Sequence, residues 1–295
     1  MAERAVEAAA DEQAGAGAFE RETAVRMLER EGPRSSFAGE VAEGWRAGRG
    51  PHGGYLAAMI LRALAQALAD AQRAPRSLTI HFLKAPEVGP VLIDAVIERS
   101  GRSLSSLSGR MSQGGATMAL ALAAFSVPWT GPEISGLTMP EVEPPSPERR
   151  PGALIAPEQG GPPFGRHIIF QPRIGGVPFA GGEQPMEAGG WLGLLEPRPL
   201  DAPALAFFTD ALIPGPFMRL RRPTPAPTID ITIHFRTALP RAPLDGAGAP
   251  DQHELVFAHT RASAIHEGFF EEDALLWARD GTLLAQSRQL ALLVG

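Results

Sequence analysis

The sequence contains no cysteine, which removes disulfides, thiolate metal sites and cysteine nucleophiles together and suits a reducing compartment. It also lacks a cationic surplus. Its 27 Lys and Arg stand against 33 Asp and Glu, a formal net charge of -6, so there is no electrostatic reason to expect nucleic acid or an anionic membrane surface as partner. The first residues, MAERAVEAAADEQAGAGAFE, have neither the basic nor the apolar region of a secretory leader. The longest uncharged run, which contains Gly114 to Gly131, is broken by paired glycines and a proline and does not read as a membrane span. Three catalytic signatures are missing as well: the Gly-x-Ser-x-Gly elbow, the P-loop and the dinucleotide fingerprint. The stretch GRSLS, Gly101 to Ser105, ends in serine where the elbow needs glycine. These absences leave a cytoplasmic protein whose partner is a small molecule or another subunit.

What is present begins with a repeat, which fixes architecture more firmly than any motif. Residues 77 to 86 read SLTIHFLKAP and residues 230 to 240 read DITIHFRTALP, so Thr-Ile-His-Phe occurs at Thr79–Phe82 and again at Thr232–Phe235. Three strand-like segments follow each copy, and the hairpin dipeptides Gly114-Gly115 and Asp280-Gly281 fall at the same place in each series. One helix precedes each series. The first is expected from Gly54 to about Ala71, and the second after the N-cap Asp201, with Pro203 in its first turn. A chain of 295 residues that is 44% hydrophobic can hold two ordinary cores. The predicted organisation is a unit over residues 30–130, a Pro/Gly-rich linker over 131–164 and a second unit over 165–295. Each unit reads as strand, long helix and four-strand meander, an α+β arrangement in which the sheet wraps the helix. In the second copy, alternation puts Ile229, Ile231, Ile233 and Phe235 on one face and Thr228, Asp230, Thr232 and His234 on the other.

The segments GPHGGYLAA, GRSLSS, FFTDALIP, PTIDITIHFR and DGTLLAQSRQ, in that order, resemble the hotdog thioesterases, in particular the double-hotdog type II acyl-CoA thioesterases. The resemblance covers roughly residues 35 to 130 and 165 to 293. It implies two hotdog folds in one chain, imitating the homodimer of single-hotdog relatives, with acyl-CoA as substrate and no cofactor besides the CoA that the substrate carries.

Thioester hydrolysis needs a positioned, partly deprotonated water and donors facing the oxygen where negative charge develops. The helix start in GPHGGYLAA offers the donors, because glycines there leave N–H groups unobstructed at the positive end of the helix dipole. Gly53, Gly54 and Tyr55 are the candidates, set against the plainer reading that two glycines merely make the turn into the helix. His52 is expected to make a local hydrogen bond. Asp210 lies in the apolar stretch ALAFFTDALIPG, where an ionised side chain needs partners or a function. By resemblance, Asp210, Thr228 and Gln289 occupy the family's water-binding positions. Gln289 alternates with Leu283, Ala285, Ser287 and Ala291, a small-residue face suited to packing on a helix, where an amide must find hydrogen bonds.

Aligned through the repeat, Gln289 corresponds to Ala123 and Thr228 to Pro75, so one competent site per chain is expected. His81 and His234 occur in both copies and suggest a pairing role. The polar faces they share with Thr79 and Thr232 suggest a homodimer, against which light scattering from a monomer alone would count. His259, His266 and Glu267 have no close third ligand, so no metal is expected. The cluster RLRR, Arg219 to Arg222, reads as solvated charge before it reads as a phosphate site. Two other functions fit the fold: an acyl-thioester hydratase or dehydratase, whose Asp-x-Asn-x-x-His element is missing, and a non-catalytic acyl-CoA-binding protein.

Overall fold

The computed structural model describes residues 17–148, 150–152, 161–196, 198–239 and 255–294. Most of the acidic N-terminal stretch and the middle of the expected linker lie outside the described residues. The chain opens with a short helix α1 (Ala18–Glu22) and strands β1 (Arg26–Glu31) and β2 (Arg34–Val41). A two-strand ribbon, β3 (Arg46–Ala47) and β4 (Gly50–Pro51), leads into helix α2 (Gly53–Leu68). Strands β5 (Ala74–Phe82), β6 (Gly89–Ser100), β7 (Leu104–Gln113) and β8 (Ala116–Ser126) follow. The second half supplies β9 (Ile168–Gly175), β10 (Glu187–Leu194), helix α3 (Ala202–Phe208) and strands β11 (Thr228–Phe235), β12 (Val256–His266), β13 (Phe269–Trp277) and β14 (Leu283–Leu292).

The two halves join into one antiparallel sheet of twelve strands, ordered β1-β2-β6-β7-β8-β5-β11-β14-β13-β12-β10-β9. The repeated tetrapeptides sit at its centre. Thr79 lies opposite Thr232, Leu78 opposite Ile233 and Ile80 opposite Ile231, and the two threonine hydroxyls are 3.1 Å apart. The order corrects the expected four-strand meander: β5 pairs with β8 and β11, not with β6. Only β6, β7 and β8 form a meander in the first half, because the strand leaving the helix must reach the seam to pair with its counterpart.

Helix α2 is buried over most of its surface, as expected of an Ala- and Leu-rich segment whose one charged residue is Arg62 and which is wrapped by a sheet. It ends at Leu68, short of the predicted Ala71. Ala69 takes a left-handed φ of 53°, and the Asp70 carboxylate accepts from Gln72 N–H at 3.0 Å and Arg73 Nε at 2.8 Å, a local alternative to another helical turn. Helix α3 starts as predicted, with Asp201 capping the Ala204 N–H at 2.9 Å, but it is two turns long and no match for α2. The linker is not a free tether over its described length: Trp191 Nε1 donates to Glu143 O at 2.8 Å and Arg173 to Pro144 O at 2.9 Å, holding it against β9 and β10. One hydrophobic cluster takes residues from both halves, including Leu64, Leu78, Phe207, Ile233 and Leu284.

Candidate active site

The start of α2 and the turn after α3 meet where the two halves adjoin. Asp210, just past the C-cap Thr209, points its Oδ2 at the Gly54 N–H, 2.9 Å away, and lies 3.6 Å from His52 Nδ1. Its side chain is only 12% exposed. Burial raises its pKa, while nearby His52 and the N–H groups of Gly54 and Gly53 pull it back down. Burial dominates, so Asp210 holds a proton more readily than a surface aspartate and is a stronger base when ionised. His52 is the N-cap of α2, its Nδ1 accepting from Tyr55 N–H at 3.3 Å, which is the local bond expected of it. Its pKa is lowered by burial despite the Asp210 charge, and its ring packs on Phe164 and Phe207.

The two glycines are required by close approach. Neither takes a positive φ. A Cβ on Gly53 would stand 2.8 Å from Asp210 Oδ2, and one on Gly54 would stand 2.5 Å from the Phe207 carbonyl oxygen. The N–H groups expected to face a thioester oxygen have protein partners here: Gly54 donates to Asp210 and Tyr55 to His52. The side chain of Tyr55, the only tyrosine in the chain, is fully buried and turned toward the N-terminal strands. Its hydroxyl donates to Glu22 O at 2.6 Å, and its ring stacks on Trp45.

Thr228 and Gln289 come together on the inner face of the second half. The Thr228 hydroxyl donates to Gln289 Oε1 at 2.9 Å, and Gln289 is 6% exposed beside buried Ser287, Ala285 and Ala291. Strict alternation put Thr228 on the outer face with Asp230 and Thr232, and the structure corrects this. Thr228 pairs with Ala291 but Asp230 with Leu290, a β-bulge at Ile229 that turns Thr228 inward. The first half bulges at the same point of the repeat, between Pro75 and Ser77.

One residue of this group escaped the sequence reading. Glu272 on β13 is 2% exposed, accepts from Gly215 N–H at 2.6 Å through Oε1 and from Gln289 Nε2 at 3.2 Å through Oε2. Burial pushes its pKa up to about 7, and the Asp210 charge adds to the rise, so Glu272 lies within electrostatic reach of Asp210. The signal was in GFFEEDALLW: Glu272 alternates with Phe270, Ala274 and Leu276, all buried. The pairing also supports the repeat alignment. Ala123 faces Leu78 and Leu107, while Gln289 faces Ile231 and Glu272, so Pro75, Ala123 and Leu107 stand where the second half has Thr228, Gln289 and Glu272.

The other candidates separate from this site. His259 pairs with Glu187 at 3.1 Å, and no group of three metal-ligating side chains is found among the described residues. Arg219, Arg221 and Arg222 are exposed. His81 and His234 are exposed on the outer face of the central strands. An open groove of about 660 Å³ crosses that face of the first half, lined by Thr79, His81, Arg110 and Leu122 among others, and contains neither Asp210 nor Gln289.

A family model described as the acyl-CoA thioesterase N-terminal domain matches residues 41–126, and one described as the acyl-CoA thioesterase C-terminal domain matches residues 140–293. Among solved structures, a conserved protein of unknown function with a hot dog fold from Alicyclobacillus acidocaldarius superposes with a TM-score of 0.76, at 25% identity, over 95% of this chain and 99% of that one. An acyl-CoA thioesterase II from Mycobacterium marinum superposes with a TM-score of 0.70, at 17% identity, over 94% and 97%. An uncharacterised protein of Mycobacterium tuberculosis is 25% identical over 280 residues, 87% of this chain and 90% of its own length.

Proposed function

Because this chain belongs to the acyl-CoA thioesterase family, matching the models of both its domains, we propose that it hydrolyses an acyl-CoA to a free acid and CoA at one site per chain, with Asp210 as general base. The observation that carries the reading is the contact between halves: a largely buried carboxylate from the second unit is held 2.9 Å from an N–H at the helix start of the first. A water held by Asp210, Thr228 and Gln289 attacks the thioester carbon and gives a proton to Asp210. The tetrahedral intermediate then expels the CoA sulfur, which takes that proton as the C–S bond breaks. The helix-start N–H groups are the natural donors for the developing oxyanion. Since Asp210 occupies Gly54 N–H, an incoming thioester oxygen competes with it there. Losing that hydrogen bond removes one of the influences that lower the pKa of Asp210 and leaves it a stronger base beside the water.

Asp210→Asn tests the reading. It keeps shape and some hydrogen bonding but removes the base, so turnover should fall by about 10²–10⁴-fold while acyl-CoA binding stays near wild type. Release of free CoA from a panel of acyl-CoAs, followed with a thiol reagent, gives the rate. Full turnover in Asp210→Asn would place the acid elsewhere, and an inactive wild type that binds acyl-CoA would favour a binding protein. The proposal includes a homodimer formed through the outer faces that carry Thr79, His81, Thr232 and His234, and a cytoplasmic location. Among the described residues no helix is long and apolar enough to cross a membrane.

A further inference from the structure

We infer that Glu272 is a positioning residue of this site, setting which end of the Gln289 amide meets the Thr228 hydroxyl and so which polarity that hydroxyl offers to the attacking water. The inference rests on the reading of Asp210, Thr228 and Gln289 as a water site.

An ionised carboxylate only accepts hydrogen bonds. With Oε1 on Gly215 N–H and Oε2 on Gln289, ionised Glu272 obliges Gln289 to present its NH2 group. The amide oxygen then faces Thr228 and accepts the hydroxyl proton. Thr228 is left with lone pairs to offer. A water between Asp210 and Thr228 can give one proton to each and keep its own lone pair for the carbonyl carbon. If Glu272 takes a proton on Oε2, its O–H donates to the amide, and Gln289 must turn over so that its NH2 meets Thr228. The hydroxyl proton is then released toward the water, where it occupies the lone pair needed for attack. The chain Glu272–Gln289–Thr228 thus has two directions, and the ionised one is productive.

The groups acting on Glu272 are few. Asp210, from the turn after α3, and Asp273, its neighbour on β13, both disfavour its charge, while Gly215 N–H and the Gln289 amide favour it. Asp273 is itself tied to Arg288 at 2.6 Å, a pair about half exposed or more. None of these groups is a cation, and the pKa of Glu272 near 7 places the reversal in the range where an enzyme works. The first half argues that this chain is not needed for folding. Leu107, Ala123 and Pro75 fill the corresponding places, so the same sheet closes with apolar residues there.

The test compares wild type with Glu272→Gln over a pH series. Gln at 272 can accept from Gly215 with its carbonyl and donate to Gln289 with its NH2, fixing the reversed direction at every pH. The expected result is a kcat lower by about 10- to 100-fold, the scale seen when a group that orients a reacting ligand is lost. KM should change little. The acid limb of the kcat profile should carry two ionisations in wild type and one in Glu272→Gln. Thr228→Val added to Glu272→Gln should cost less than the product of the single losses, since both act through one hydroxyl. A readout free of activity is the carbon-13 titration of the Glu272 carboxyl, assigned by its disappearance in Glu272→Gln and expected near pH 7. Wild-type kcat with an unchanged acid limb in Glu272→Gln, or a carboxyl titrating at the ordinary glutamate value, overturns the inference. Full turnover in Asp210→Asn sinks the water site instead and leaves the carboxyl titration as it is, which keeps the two failures apart.

Discussion

Asp210 and Glu272 are each buried and each raised in pKa, and the Asp210 charge adds to the rise at Glu272, yet they are held by different means. Asp210 rests on the backbone N–H of a helix start, whereas Glu272 rests on a loop N–H and a side-chain amide. The second arrangement has a measurable consequence for stability. With the Glu272 pKa raised from 4.5 to about 7, the folded protein binds more protons than the unfolded chain between those values. Stability from this group is complete below the unfolded pKa and is lost as pH rises through the folded one, up to ~3 kcal/mol. Glu272→Gln has no such loss. Urea unfolding at about pH 4 and again at about pH 8 should show the variant gaining on wild type by an amount approaching that figure. An equal gap at both values would mean that Glu272 is not raised.

At the scale of elements, the decisive contact is the approach of α3 to the first turn of α2. Gly54 lets the backbone of Phe207 come close, and Gly53 makes room for the carboxylate of Asp210 and for Phe82. The two positions should therefore respond differently to an added methyl. Gly54→Ala drives a Cβ into backbone atoms, 2.5 Å and 2.9 Å away, that cannot rotate aside, so it should destabilise the fold by ~1–3 kcal/mol in urea unfolding. Gly53→Ala meets the end of a side chain, which can move, and should lower turnover more than stability. If Gly54→Ala is neutral in stability, the seam is looser than its distances state. The bulge at Ile229 acts at this scale too. One extra residue in β11 brings Thr228 to the same face as Gln289 while leaving Thr232 on the outer side, within reach of Thr79.

At the scale of the molecule, the seam makes the two halves one folding unit. The ladder between β5 and β11 is continuous, and a single hydrophobic cluster crosses it. Arg62 of α2 reaches Glu20 at 2.8 Å and Asp201 at 3.8 Å, adding a polar link between α1, α2 and the start of α3. Calorimetric unfolding should therefore give one transition whose calorimetric and van't Hoff enthalpies agree, in place of one transition per half. Two resolved peaks would show that each unit closes its own core.

The sequence by itself determined the repeat, the two helix starts, the strands and the face that Gln289 shares with small residues, because each depends on local pattern: period two, end caps and turn dipeptides. It also carried the loss of polar groups from the first copy, since Pro75, Ala123 and Leu107 can be read against Thr228, Gln289 and Glu272 once the repeat is aligned. Only the tertiary structure decided the strand order, because a strand pattern does not name its neighbour, and the inward turn of Thr228, because a one-residue bulge leaves no mark on composition. It alone showed that Gly53 and Gly54 serve close approach, since the nearest atoms that a missing Cβ would have met belong to Asp210 and Phe207, in the other half of the chain. Glu272 lies between the two cases. Its place on an apolar face was visible, but its partners Gly215 and Gln289 converge only when β13, β14 and the loop after α3 are folded together.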